Sequence, residues 1–284
     1  MENAVILGTF DGVHSGHRAV INAAENHRIT AVTFSVPPKA VAQNNIMLLM
    51  TKDDRCRALK SAGVSNIVML DFEKVKNTSA LSFLENIKKE YSPSLICCGF
   101  NYRFGKDAKG DTDFLKEYCK SRNIECKIAD RVVSNGETVS STSIRNKLLN
   151  GDVFSANLEI FSGFGFTSRV IHGDKRGRTI GFPTINQAYP QSLVKLKYGV
   201  YLSEVIINGR AYNGITNIGI RPTFKTENVI CETYIKDFSG DLYGQDVTLK
   251  PKRFLRDEKR FNSLEELKKA IQNDVAKCNN FKGC

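Results

Sequence analysis

The longest apolar run in the chain is five residues, Ile46–Met50, against the roughly 20 needed to cross a bilayer. Glu2 and Asn3 stand near the start with no extended apolar core behind them. No secretory leader and no membrane partner are therefore expected, and the protein is expected in the cytoplasm. None of the eight cysteines (56, 97, 98, 119, 126, 231, 278 and 284) forms a C-x-x-C pair. Cys97 and Cys98 are adjacent on a strand-like run, so they point to opposite faces and make poor joint ligands. Reduced thiols serving as small hydrophobes are expected. No dense run of five or more basic residues occurs, and no basic patch is interleaved with aromatics as in single-strand binders. The formal net charge of +11 still predicts an anionic partner, either nucleic acid or a nucleotide carrying phosphates. Histidine is scarce as well. Two of the four histidines sit in one loop.

What is present divides at about the middle of 284 residues, a length that accommodates two domains. In the first half, strand-like segments recur at residues 4–7, 29–34, 67–70, 95–98 and 124–128. Helical patterns lie between them: Leu81, Leu84, Ile87 and Tyr91 read as one face, and Phe114, Leu115, Tyr118 and Cys119 as another. This alternation predicts an α/β fold with a parallel sheet covered on both faces, whose ligands bind beyond the carboxyl ends of the strands. Gly8-Thr9-Phe10-Asp11-Gly12-Val13-His14-Ser15-Gly16-His17 follows the first strand and opens a helix. Strand, glycine loop and helix start together can present backbone N–H groups to a phosphate. His14 and His17 add donors able to bear positive charge. The loop Gly99–Lys106 and the run Ser140–Arg145 should reach the same edge. Arg145 falls in the first turn of a helix over residues 144–149, where a cation opposes the dipole unless an anion sits there too. The bland readings are a helix cap for the serines, a turn for the glycines and a metal-binding pair for the histidines, though no third ligand is evident.

From about residue 160 short strands and turn residues take over. Residues 199–207 and 210–216 flank Asn208-Gly209, a hairpin signature. Residues 229–238 and 245–249, separated by Ser239–Gly244, read as a second hairpin. A barrel or a sandwich follows. A closing helix is expected, with Ser263 and Glu266 as a capping box and Leu264, Leu267, Ile271 and Val275 as a stripe. The segment Gly173–Asn186 interleaves three glycines with three cations, a composition suited to covering phosphates, though it is not a Walker loop. Thr184 and Asn186 lie two apart and would share a face of a strand, where their oxygens could hold Mg²⁺ with nucleotide phosphates. Glu232 falls on the strand face of Ile230 and Tyr234, where an acid is either paired or functional. Beside a phosphate loop, general base is its natural role.

Gly8–His17 resembles the H-x-G-H signature of the nucleotidyltransferase superfamily. With Gly99–Lys106 and Ser140–Arg145 it resembles the FAD synthetase module of the bacterial bifunctional riboflavin kinase/FMN adenylyltransferase family. Gly177–Asn186, Asn217–Phe224, Glu232 and Leu255–Glu258 resemble the riboflavin kinase module of the same family. The resemblance implies a Rossmann-like N-terminal domain over 1–157 and, over 158–284, a six-stranded antiparallel barrel with a C-terminal helix. It implies two ATP-dependent steps, riboflavin to FMN and FMN to FAD, with riboflavin, FMN and ATP as the small-molecule partners. In the first domain it assigns ATP binding to Gly8, Thr9, Phe10, Asp11, Gly12, His14, Gly16, His17, Ser141, Thr142 and Arg145, and FMN binding to Asn101 and Arg103. In the second it assigns ATP to Gly173, Lys175, Gly177, Arg178, Gly181, Thr184 and Asn186. Mg²⁺ falls to Thr184 and Asn186, and flavin to Asn217, Glu232 and Arg256. Glu232, His14, His17 and Arg145 would carry the catalysis, and no nucleic-acid partner is expected. The chain departs from the family pattern at Pro37, where a histidine is usual, and at Ile160–Gly165, where Leu-Leu-Gly-Arg-Pro-Phe is usual. A flavin-binding regulator with one active site and a basic nucleic-acid binder are the rival readings.

Overall fold

The computed structural model describes residues 1–38, 47–173, 177, 181–222 and 227–279. The chain forms two compact units, residues 1–144 with 159–162, and residues 145–158 with 163–284. Among the described residues no helix is long and apolar enough to cross a membrane.

The apolar runs of the first half become β1 (Asn3–Leu7), β2 (Arg28–Phe34), β3 (Asn66–Leu70), β4 (Leu95–Gly99) and β5 (Glu125–Ala129). They pair in parallel in the order β3-β2-β1-β4-β5. The three central strands are almost wholly buried, while β3 and β5 at the edges are mostly half-exposed. Strand order reverses between β1 and β4, which makes the crevice beyond their carboxyl ends the expected ligand position. Helices α1 (Ser15–Ala23), α2 (Lys52–Ser61), α3 (Phe72–Val75), α4 (Ala80–Tyr91) and α5 (Thr112–Ser121) connect the strands. On α4 the buried residues are Phe83, Leu84 and Ile87, and Leu81 is exposed rather than on the inner face. At 3.6 residues per turn Leu81 lies roughly 100° from the centre of that face. On α5 the predicted Leu115, Tyr118 and Cys119 are buried. Cys97 and Cys98 are buried in β4, and burial pushes both thiols up to about 12, so they act as core hydrophobes.

A two-residue Asn135-Gly136 turn joins β6 (Val133–Ser134) to β7 (Glu137–Thr138), and α6 (Ser141–Leu149) and α7 (Val153–Glu159) follow. The second half then closes as a barrel of β8 (Phe166–Ile171), β9 (Thr184–Ala188), β10 (Gly199–Ile207), β11 (Arg210–Pro222), β12 (Glu227–Ile235) and β13 (Asp246–Arg256). Its order is β10-β11-β12-β9-β8-β13, antiparallel throughout. Asn208 and Gly209 both take positive φ, 51° and 81°, as the expected type I′ turn requires. The second expected hairpin does not form. β12 pairs with β11 and β9, and β13 with β10 and β8, so residues 236–245 connect strands that are not neighbours. Turn residues mark a reversal of direction, and a connection this long can reach a different strand. Leu242 is buried and Gly244 donates to the Val170 carbonyl at 3.0 Å, anchoring the connection to β8.

The C-terminal helix is α8 (Leu264–Asn279). Half of the expected capping box forms: Glu266 N–H donates to Ser263 Oγ (3.1 Å), while Glu266 Oε2 accepts from Asn262 N–H (3.1 Å), one residue before the cap. Leu264 is exposed, because the first turn stands clear of the barrel. The rest of the expected stripe, Leu267, Ile271 and Val275, is half-buried, and Val275 with the buried Cys278 joins Val200, Leu202 and Ile215 in one apolar cluster.

Candidate active sites

The first site is built on loops. After β1 the chain turns through positive φ at Phe10 (50°), Gly12 (93°) and Val13 (39°). Phe10 and Val13 are fully buried, and each costs on the order of 1–3 kcal/mol in backbone strain. Gly12 calls for glycine, since φ +93° strains any L side chain and a Cβ there would also press on Leu49 Cδ1 at 2.7 Å. Two buried charged residues hold the loop. Asp11 Oδ1 accepts from Leu49 N–H (2.9 Å) and Met50 N–H (3.3 Å). Arg55, on α2, is 1% exposed and donates to the carbonyls of Thr9 (3.2 Å), Phe34 (2.6 Å) and Ser35 (2.9 Å). Burial lowers its pKa, with the nearby Asp11 carboxylate acting in the opposite direction. Arg55 thus ties the loop after β1 to the loop after β2, where Pro37 is buried.

His14 is the N-cap of α1, and its Nδ1 accepts from His17 N–H at 3.4 Å. The two imidazoles stack, with centroids 3.6 Å apart and planes 21° apart, and Phe10 meets His17 edge-on at 5.3 Å. Gly16 lets the His14 ring lie close, since a Cβ there would be 3.1 Å from the ring. His17 does not bear the positive charge that its residue type allows. Burial, then His14, then Arg55 hold its pKa well below the usual range, so the ring is neutral at pH 7. Its Nδ1 is buried with no partner among the described residues.

Ser141 Oγ donates to the Asp11 carbonyl at 2.8 Å, which brings the serine run onto the histidine loop. Ser140 and Ser143 exchange backbone-to-hydroxyl bonds (3.0 and 3.1 Å) that cap α6. Thr142 is exposed and Arg145 half-buried on that helix. Asn101 and Arg103 are exposed beyond β4, and Arg103 pairs with Asp111 at 3.1 Å. Phe104 between them and the core is buried against Phe83, Phe114 and Tyr102. Ile160 bridges His14 and Phe161 N–H donates to the Val13 carbonyl (3.3 Å), while the Arg18 guanidinium lies over the Phe161 ring at 4.2 Å.

The second site is built on the barrel wall. Register places Asn217 on β11 opposite Glu232 on β12, and Glu232 opposite Asn186 on β9. Directly paired residues share a face, so the three side chains form one row, with Thr184 and Tyr234 as the next pair along it. Asn186 is 5% exposed, and its Oδ1 is buried with no partner among the described residues. An amide oxygen left in this state suits a hard cation, and the Thr184 hydroxyl on the same face supplies a second oxygen. Gly173 closes over it: a Cβ there would be 2.3 Å from Asn186 Nδ2. Phe182 N–H donates to the Gly177 carbonyl (2.8 Å), and the Phe182 ring meets Tyr234 edge-on at 5.3 Å. Gly181 takes φ +85°. Lys175, Arg178 and the Thr223-Phe224 end of the Asn217 motif lie outside the described residues.

Arg256 lies at the end of β13, with Nε (3.0 Å) and Nη2 (2.8 Å) both on Oδ2 of the buried Asp274 of α8. Asn217 Nδ2 donates to Glu258 Oε1 at 3.1 Å. Arg55, Asp274 and Glu258 are the residues that sequence reasoning did not single out. Glu258 alone left a signal, as the last residue of the Leu255–Glu258 motif.

The family model of FAD synthetase matches residues 1–143, and that of riboflavin kinase matches residues 162–282. The chain is 32% identical to a bifunctional riboflavin kinase/FMN adenylyltransferase of Listeria monocytogenes, over 96% of this chain and 90% of the relative. It is 30% identical to the protein of the same description from Bacillus subtilis, with the same coverage. A crystal structure described as a macrolide-efflux protein from Streptococcus pneumoniae superposes with a TM-score of 0.90 at 30% identity, covering 99% of this chain and 95% of that one. These matches span both units, and the chain belongs to the bifunctional riboflavin kinase/FMN adenylyltransferase family.

Proposed function

We propose that the chain makes FAD from riboflavin in two ATP-dependent steps in the cytoplasm, with the kinase in residues 158–284 and the adenylyltransferase in residues 1–157. Riboflavin and ATP give FMN, ADP and a proton in the barrel. FMN and ATP give FAD and pyrophosphate beyond the parallel sheet. Phosphorylated nucleotides, rather than nucleic acid, are the anions that the basic chain serves.

In the kinase step Glu232 accepts the proton of the riboflavin ribityl hydroxyl as that oxygen attacks the γ-phosphorus of ATP. Asn217 and Arg256 flank the flavin, and the Gly173–Gly181 loop with Lys175 and Arg178 covers the ATP phosphates. Thr184 and Asn186 would hold Mg²⁺, which when bound neutralises charge on the phosphates. In the adenylyl step the FMN phosphate is already a nucleophile and no base is needed. Asn101 and Arg103 hold FMN, and Gly8–His17 with Ser141, Thr142 and Arg145 hold ATP. His17, neutral in the free protein, acts as a hydrogen-bond donor to the phosphates beside the α1 N-terminus. Positioning two bound reactants supplies on the order of 7–11 kcal/mol of the barrier, so no covalent intermediate is required.

The observation that carries the reading is the row Asn186–Glu232–Asn217. It sets a buried carbonyl oxygen with no partner among the described residues next to a carboxylate, on a face that Gly173 approaches closely. The test is incubation with riboflavin, ATP and Mg²⁺ followed by chromatographic separation of flavins. FMN and then FAD are expected, and the absence of both overturns the reading.

A further inference from the structure

We propose that Glu258 is a positioning residue of the kinase step, acting on Glu232 through Asn217, and that position 219 is glycine to make room for its carboxylate. The inference rests on Glu232 as the base of that step.

After β13 the segment Asp257-Glu258 returns over β11. Glu258 Oε1 accepts from Asn217 Nδ2 at 3.1 Å. Position 219 is two residues further along β11, on the same face as Asn217. A Cβ built there would lie 2.1 Å from Glu258 Oε1 and 2.8 Å from its Cδ. Gly219 is not among the positive-φ glycines, so its backbone does not call for glycine. Space does. The Glu258 carboxylate takes the place that a side chain at 219 would fill. Residue 217 faces Glu232 and residue 219 faces Ile230, which puts that carboxylate on the diagonal from Glu232 with Asn217 between them. The segment is fixed from its other end as well, since Arg256 has its Nε and Nη2 on Asp274 and its Nη1 on the Asp257 carbonyl at 3.3 Å.

An asparagine amide has a donor end and an acceptor end. With Nδ2 committed to Glu258, the orientation of the amide beside Glu232 is set. A base must be held within about 0.5 Å of its productive geometry, and a misplacement of about 1 Å can cost on the order of 100-fold in rate. Removing Glu258 frees the amide to rotate beside Glu232. Adding a methyl at 219 does the same from the opposite direction, by displacing the carboxylate while Glu258 itself remains.

The test uses the full chain and measures kcat and KM for FMN formation, FMN-to-FAD turnover and the melting temperature. Glu258→Ala is expected to lower kcat for FMN formation by about 10-fold, with FMN-to-FAD turnover unchanged. Glu258→Gln, whose Oε1 can still accept from Asn217, is expected to recover most of the loss. Gly219→Ala is expected to match Glu258→Ala in kcat, and the double variant to be no worse than either alone, because both changes remove one arrangement. Multiplicative losses in the double variant, or a wild-type kcat for Gly219→Ala, overturn the proposal. An equal fall in FMN-to-FAD turnover with Glu258→Ala also overturns it, since the effect is then one of folding. A wild-type chain that makes no FMN overturns the kinase reading itself, a result distinct from any of these.

Discussion

The two candidate sites, both proposed to hold ATP phosphates, are built by different structural means. Beyond the parallel sheet the candidate residues lie on the loop after β1 and on the first turns of α1 and α6, and that loop is bent through positive φ at Phe10, Gly12 and Val13. Such loops hold their shape only against strong anchors, and here those are the buried Asp11 and Arg55. On the barrel the row Asn186–Glu232–Asn217 comes directly from strand register, with one residue from each of three adjacent strands. Register is fixed by the whole barrel, so this site requires no charged anchor beneath it. The first site should therefore fail through distant residues, and the second chiefly through the residues of the row and the carboxylate that braces it.

The largest expected effect separates the two chemistries. Glu232→Gln keeps shape and removes the base, and FMN formation should fall by about 10²–10⁴-fold while FMN-to-FAD conversion continues. Chromatography of both reactions checks it, and loss of both activities in a folded protein would break the two-site assignment. Next, His17→Ala should act in reverse, lowering FMN-to-FAD turnover by about 10²–10³-fold, the usual cost of one lost donor to a charged transition state. FMN formation should persist. The third prediction sharpens the contrast in anchoring. Arg55→Met removes the guanidinium bonds to the Thr9, Phe34 and Ser35 carbonyls and leaves Asp11 without its buried counter-charge. About 3–5 kcal/mol of stability should be lost from the first unit, read as an earlier calorimetric transition together with loss of adenylyl transfer.

The smallest effect is a pH dependence. The pKa of His17 is lowered on folding, so below about 6.5 the unfolded chain takes a proton that the folded chain does not. The stability it contributes is present above that value and is lost as pH falls, by up to about 1.4 kcal/mol per pH unit. Melting curves between pH 5 and pH 8 should show this fall, and His17→Gln should flatten it.

Most strands were legible because fully buried parallel strands read as unbroken apolar runs, and the β10–β11 hairpin because Asn-Gly prescribes its own turn. The row on the barrel was legible in part, since strand alternation puts Thr184 and Asn186 on one face. Other features left no readable trace. Arg55 sits in a helix rich in charge, and nothing in its spacing distinguishes a buried arginine from a solvated one. The neutrality of His17 depends on its burial and on Arg55, far away in sequence. The false hairpin at Ser239–Gly244 shows that turn composition announces a reversal and leaves the partner strand open. Leu81 fitted a helical spacing, but the face is centred elsewhere once Phe83 turns inward.

Residues 145–158 belong with the barrel, yet residues 159–162 return to the first unit and brace the histidine loop through Ile160 and Phe161. The chain thus changes unit three times within about 20 residues, and no single peptide bond divides one catalyst from the other. A gene fragment ending at 157 would encode the histidine loop without its brace, and one starting at 163 would encode the barrel without α6 and α7. Splitting the enzyme, or grafting one half onto another partner, would need a second copy of this short stretch on each side of the cut.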